Sequence, residues 1–170
     1  YILAWLASSA FTGPTPVGEA IRRCEAIREQ VNEDRGSAAA TLYPLAGLYA
    51  MLGRFDEARE LLDLAYRRLE DLGFVTLTSS GTQFEGLVGI LAGDLTRAEE
   101  RLKFGLGRLE EMGEKAFVSS LTALLAEVLY RQERHDEAKT FVDRSEETAA
   151  LDDLAAQIAW RTVRAKILAA

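Results

Sequence analysis

The residues of this chain that could do covalent or acid–base chemistry are few. Histidine occurs once, at His135, and cysteine once, at Cys24. A histidine-based metal site or catalytic pair cannot be built by repetition of a single side chain. Phe55 and Leu95 occupy the position equivalent to His135 in two similar stretches earlier in the chain. Because both are apolar, we interpret His135 as a packing residue. Cys24 lies on the apolar face of an amphipathic pattern, which is typical of a small buried hydrophobic side chain; a reactive thiol is the minor alternative.

Paired carboxylates are the other candidates for acid–base work. Glu110 and Glu111 are adjacent, as are Glu146 and Glu147. Both pairs have Arg or Lys neighbours at three- and four-residue spacing, which favours solvated ion pairs on helix faces. The glycines are not followed by Gly-Lys-Ser/Thr, so they do not form a phosphate-binding loop. The sequence predicts a protein that is not an enzyme and that holds no metal or cofactor.

The composition excludes several classes of partner. The formal charge is −7, from 27 acidic and 20 basic residues that are interspersed along the chain. This distribution argues against nucleic-acid binding, which needs a clustered basic surface. No apolar run approaches the roughly 20 residues that cross a bilayer, and the first residues lack the charged start that is typical of a secretory signal. A single cysteine excludes an internal disulfide, so we expect a cytoplasmic location and no membrane association.

A short pattern recurs at a fixed step and organises the chain. Residues 48–59 resemble residues 90–99 and 129–139, and the anchoring alanines Ala58, Ala98 and Ala138 are 40 residues apart. A fixed period of this size is typical of a repeat protein. The chain begins without methionine and ends within a helical pattern, so we expect it to be a segment of a longer polypeptide.

Apolar periodicity predicts helices throughout and no strands. The predicted ranges are an end segment to residue 11, then 17–32, 37–52, 56–72, 79–92, 95–112, 115–132, 136–149, and a last helix from residue 152. We expect Thr15, Ser37 and Asp152 to cap helices, and Pro44 to kink one. Three glycines within 79–92 predict either a soft helix or one that a neighbour approaches closely.

Within each unit, small residues, large residues and turn glycines fall where the tetratricopeptide repeat has them, so the chain resembles that family. The positions are Ala46, Tyr49, Gly53, Phe55, Ala58, Leu62 and Ala65; Gly86, Gly89, Gly93, Leu95, Ala98, Leu102 and Gly105; and Ala126, Leu129, Glu133, His135, Ala138, Val142 and Ser145. Two features depart from the family: the period is 40 instead of 34, and Glu133 replaces the turn glycine.

The resemblance implies an all-α, right-handed α-solenoid of antiparallel helix pairs. We expect a single domain over residues 1–170, with a partial unit at 1–36, units at 37–76, 77–114 and 115–151, and a partial unit at 152–170. Residues 157–169 also resemble the carboxy-terminal repeats of bacterial multidomain signalling proteins. Those proteins join such repeats to an ATPase and to a nucleotide-cyclase or helix-turn-helix activator domain.

In such a stack the first helix of each pair lines the inner surface. The family's inner positions, carried over by register, predict a partner-binding groove at Tyr43, Gly47, Met51, Gln83, Leu87, Leu91, Glu127, Tyr130, Arg131 and Trp160. The expected partner is a protein, a peptide or another domain of the same chain. The alternatives are that this face packs on adjoining repeats, or that a pocket near Leu87 and Leu91 makes the chain a small-ligand sensor. Helices exposed at the two ends also predict self-association.

Overall fold

The computed structural model describes residues 2–169, with side chains from residue 6 onward. These residues form ten α-helices and no strand, so the predicted all-helical class is confirmed. In chain order the helices are α1 (Ile2–Thr12), α2 (Val17–Gln30), α3 (Arg35–Ala40), α4 (Leu42–Met51), α5 (Phe55–Asp71), α6 (Val75–Ala92), α7 (Leu95–Glu111), α8 (Val118–Arg131), α9 (His135–Thr148) and α10 (Leu154–Ala169).

Consecutive helices pack as pairs, as an α-solenoid requires. The most extensive contacts are α6 with α7, α8 with α9, and α4 with α5. Each pair also contacts the next pair, and α10 packs on both α8 and α9. Ala58, Ala98 and Ala138 are fully buried where the helices of each pair cross. Small side chains at these crossings let the two backbones approach, which is why the 40-residue step marks the helix pairs.

The turns inside the pairs share one backbone conformation. Gly53 and Gly93 have positive φ angles of 75° and 76°, which cost glycine nothing. Glu133 has the same conformation, with φ 62°, although it carries a side chain. After each of these residues a backbone N–H bonds back to the preceding helix, as Arg134 N does to Leu129 O at 3.0 Å. The third repeat therefore keeps the turn at the cost of some backbone strain.

The glycines of α6 are explained by a close helix approach. A Cβ atom at Gly86 would lie 2.7 Å from the side chain of Leu102, and one at Gly89 would lie 2.8 Å from the Cβ of Ala98. Both distances are too short for real carbon contacts. Gly105 of α7 faces α6 in the same way. Of the two expectations for this helix, the structure shows the close neighbour.

The predicted helix over residues 37–52 is two helices. It breaks at Thr41 between α3 and α4, because Pro44 has no N–H to donate and its ring crowds the carbonyl of residue 40. Asp34, not Ser37, caps α3: its carboxylate accepts hydrogen bonds from the N–H groups of Gly36 and Ser37, each at 3.1 Å.

Two further caps differ from the prediction. The carboxylate of Asp153, not that of Asp152, accepts from the N–H of Ala156 at 3.1 Å and caps α10. Pro16 occupies the cap position of α2 and supplies no side-chain bond, so Thr15 is not the cap. Within the described residues, every helix is too short or too polar to cross a bilayer.

Candidate functional site

A largely apolar cleft of about 610 Å³ lies between α1, α6, α8 and α10. The side chains that line it come from the end of α1, the middle of α6, the start of α8 with the residues before it, and the start of α10. The apolar ones are Phe11, Phe84, Leu87, Ala116, Phe117, Leu124 and Ala155. The polar ones are Ser8, Ser9, Thr12, Gln83, Ser120 and Asp153.

Phe84 forms part of a wall of aromatic rings. Its ring meets that of Phe11 edge to face, with centroids 5.4 Å apart, and stacks on Tyr43 at 6.0 Å. Such pairs hold their rings in place beyond what apolar burial alone provides. The cleft therefore has a preformed wall, which lowers the ordering cost of binding.

A smaller cavity of about 80 Å³ adjoins the cleft and shares Ser8, Gln83, Phe84 and Phe117 with it. Tyr43 lines this cavity, and its side chain is only 4% exposed. Its hydroxyl has no hydrogen-bond partner among the described residues. Burial, with a smaller contribution from Glu85, raises the pKa of Tyr43 far above the ordinary value, so the phenol is neutral.

The lining of both cavities follows the 40-residue period. Leu77 corresponds to Phe117, Ser80 to Ser120, and Phe84 to Leu124, and all six line one cavity or the other. They lie between the start and the middle of α6 and of α8, with Phe117 directly before α8. The sequence prediction missed Leu77 and Ser80, with their equivalents Phe117 and Ser120, because it began the helix at residue 79 and placed the inner face from residue 83 onward. The same inner face, extended one or two turns earlier, would have included them. Phe84 directly follows the predicted residue Gln83, and Leu124 is its equivalent 40 residues later.

The predicted groove residues are divided between three environments. Gln83 and Leu87 line the cleft. Tyr43, Gly47 and Trp160 are instead in the core, which corrects the expectation that they form an open contact surface. The ring of Phe11 covers Gly47, and Trp160 packs in one core cluster with Ala123 and Ala126 of α8.

The remaining predicted residues lie outside the cleft lining. Met51, Leu91 and Arg131 are exposed at the carboxy-terminal ends of α4, α6 and α8, where they mark one row along the repeats. Glu127 is engaged within the fold: its carboxylate accepts hydrogen bonds from Arg131 at 2.7 Å and from Lys166 at 2.8 Å.

Cys24 and His135, the two candidates for covalent or acid–base chemistry, both contact other residues of the fold. Cys24 is buried and its thiol donates to the carbonyl of Ala7 at 3.6 Å, while burial raises its pKa to about 11. The exposed ring of His135 stacks on Tyr130 with centroids 5.2 Å apart. Both observations agree with packing roles.

The carboxylates likewise form ion pairs. Glu110 pairs with Arg144, and Glu146 pairs with Arg164 at 2.8 Å, each across two helices. Among the described residues, no three His, Cys, Asp or Glu side chains are grouped so that they could hold a metal ion.

The tetratricopeptide repeat family matches this chain at residues 39–63 and 119–144. The first match spans α4 and the start of α5, and the second spans most of α8 and α9. The two matches begin 80 residues apart, which is twice the period. These two segments of the chain are therefore similar to tetratricopeptide repeats. Such repeats generally mediate protein–protein interaction and are typically non-catalytic scaffolds. A search of curated proteins found no significant match.

Proposed function

We propose that this tetratricopeptide-like chain is an interaction module whose cleft binds an apolar peptide segment of a partner. The observation that carries the proposal is the cleft of about 610 Å³ with the aromatic side chains of Phe11, Phe84 and Phe117 in its lining. Contiguous apolar surface of this kind commonly marks a binding site.

The chemistry of the cleft favours a neutral segment with large apolar side chains. Asp153 is the one charged residue in the described lining, and its carboxylate already caps α10. The amide of Gln83 can donate to and accept from a peptide backbone, and Ser120 can do the same through its hydroxyl. We propose that the exposed row of Met51, Leu91 and Arg131 extends this contact beyond the cleft.

A peptide-display selection against the whole chain tests the proposal. Peptides selected on the wild type are measured again on Leu124→Asp, which places a charge in the cleft, and on Met112→Asp, which places one at an exposed apolar residue outside it. We expect at least a tenfold loss of affinity for Leu124→Asp and none for Met112→Asp.

Circular dichroism of both variants checks that they remain folded. If Leu124→Asp is unfolded, Ser120→Asp replaces it, because Ser120 also lines the cleft and is partly exposed. Equal affinity of a folded cleft variant and the wild type for every selected peptide would refute the cleft as the site.

We also propose that the chain is a regulatory segment of a larger bacterial signalling or transcription-regulating protein, and that the bound peptide belongs to another domain of that protein. The resemblance of residues 157–169 to the repeats of such proteins supports this. The test adds this chain to a separately produced ATPase portion of the full reading frame and measures whether the rate of ATP hydrolysis changes. A reading frame without such a domain would contradict the proposal.

A small-ligand sensor is the second candidate, because the cleft volume lies within the range of small-molecule sites, about 300–1,000 Å³. A ligand that binds only the folded state must raise the melting temperature. A metabolite that raises it in the wild type, and not in Ser120→Asp, would favour this candidate. Absence of any shift across a broad set would count against it.

A further inference from the structure

The ring of Phe11 separates the helix α4 from the cleft. Phe11 lines the cleft, and its ring also lies on Gly47 of α4. A Cβ atom at Gly47 would be 2.7 Å from Cε2 of Phe11 and 3.2 Å from Cδ2, so the ring covers the backbone where a side chain would otherwise stand. Gly47 is therefore buried, and the described lining of the cleft includes no residue of α4.

Two neighbours fix the position of this ring. Gly47 admits it, because a Cβ atom there would force the ring to move. Phe84 meets it edge to face, with centroids 5.4 Å apart and the ring planes at 68°. Phe84 is 9% exposed and stacks in turn on Tyr43. The space between Gly47 and Phe84 thus has the size and the chemistry that suit one aromatic side chain.

We propose that Phe11 determines which segments the cleft accepts. Its ring ends the cleft at α4 and excludes an aromatic side chain of a longer segment from the space between Gly47 and Phe84. Gly47 acts through Phe11, as the residue that positions the ring. This inference rests on the proposed function, because it assigns a specificity-determining residue to the same cleft. Selectivity of this kind combines contacts to the accepted segment with a steric block against the other.

Removal of the ring should exchange one specificity for another. Phe11→Ala leaves an apolar space beside Phe84 that opens into the cleft. A bound peptide with one further aromatic residue can place its ring there, in contact with Gly47. Aromatic side chains that fill a desolvated pocket are among the strongest contributors to affinity at protein interfaces.

The test compares extended and unextended peptides. Each peptide selected on the wild-type chain is extended at either end by a few randomised residues, and the extended library is selected again on the wild type, Phe11→Ala and Leu6→Ala. Leu6 is the matched control, because it is an exposed apolar residue of α1 outside the cleft lining. We expect aromatic residues to be enriched at one extended position on Phe11→Ala alone.

Fluorescence anisotropy measures the size of the effect. Peptides with the enriched aromatic residue should bind Phe11→Ala roughly tenfold more tightly than the unextended peptides do. On the wild type and on Leu6→Ala the extension should give no gain, because the ring of Phe11 still occupies the space.

A substitution at Gly47 tests the positioning role. Gly47→Ala should move the ring of Phe11 towards the cleft and weaken the unextended peptides about fivefold. In the Phe11→Ala background the added methyl group meets no ring, so the same substitution should leave their affinity unchanged. Equal losses in both backgrounds would show that Gly47 does not act through Phe11.

Circular dichroism checks that each variant is folded. If Phe11→Ala is unfolded, Phe11→Val replaces it, because valine keeps an apolar contact and leaves the space of the ring empty. Absence of aromatic enrichment on the folded variant, or equal enrichment on the wild type, would overturn the inference. The proposed function survives that outcome if Leu124→Asp still weakens the unextended peptides. If Leu124→Asp binds them as the wild type does, the proposed function and the inference both fail.

Discussion

The contact between α6 and α7 makes opposite predictions for two glycines of the same helix. Gly105 faces α6, where an added Cβ would overlap the Thr82 hydroxyl and lie 2.6 Å from the carbonyl oxygen of Ser79. Gly107, two residues later, has no atom within 4 Å of its added Cβ. Replacement of either glycine by alanine removes the same backbone freedom from the unfolded chain. The two variants therefore differ mainly in the steric contact.

The expected magnitudes follow from these contacts. Gly107→Ala should stabilise the fold by about 0.5–1 kcal/mol, because alanine is the better helix former. Gly105→Ala gains the same term but incurs an overpacking cost near the upper end of about 1–3 kcal/mol, since a backbone carbonyl cannot move aside cheaply. The net result is a destabilisation of about 2 kcal/mol. The two variants should therefore differ by about 3 kcal/mol.

Urea unfolding followed by circular dichroism measures both free energies of unfolding. In a chain of this length the difference corresponds to about 6–12 °C in melting temperature. The wild type and Gly107→Ala are the references for Gly105→Ala. Equal stabilisation by both substitutions would refute the close approach of α6 and α7.

Three further outcomes are expected. Glu133→Gly should stabilise the fold by about 0.5–1 kcal/mol in urea unfolding. Glycine adopts the positive φ angle without strain, and this gain exceeds the cost of its greater backbone freedom in the unfolded chain. A loss of stability would contradict the strain at Glu133. Partial burial opposes ionisation of Glu99, but hydrogen bonds from Lys103 and Arg134 outweigh it and lower the pKa to about 2 from 4.5. Glu99 therefore stabilises the fold above about pH 4.5 and loses this contribution as the pH falls towards 2, so Glu99→Gln should unfold less steeply with acid over that range. The Cys24 thiol should react with a disulfide reagent only after unfolding, since burial raises its pKa to about 11, and fast labelling of the folded chain would contradict this.

The sequence predicted the helix pairs because their determinants are local and repeated. Ala58, Ala98 and Ala138 mark the crossings, and the turn glycines mark the helix ends, so neither requires knowledge of distant contacts. The start of α3 was less accessible. It depends on whether Asp34 or Ser37 caps the helix, and both are suitable capping residues.

The candidate site was predicted only in part, because the positions of some of its lining residues do not follow from the 40-residue repeat. Gln83 and Leu87 were found by register, and they line the cleft. Phe11 belongs to α1, which has no equivalent in the repeating pattern, so nothing in the sequence showed that its ring would cover Gly47. The placement of Asp153 beside the cleft likewise depends on how α10 packs against α8.

Photo-crosslinking from within the cleft tests the central proposal most directly. A benzoylphenylalanine replaces Ser120, a partly exposed cleft residue, in one variant, and Lys139, an exposed residue of α9, in another. Each is irradiated with a peptide selected on the wild-type chain, and the products are identified by mass spectrometry. We predict that the peptide crosslinks to the probe at position 120 and not to that at position 139. Crosslinks from position 139 alone would contradict the assignment of the cleft as the binding site.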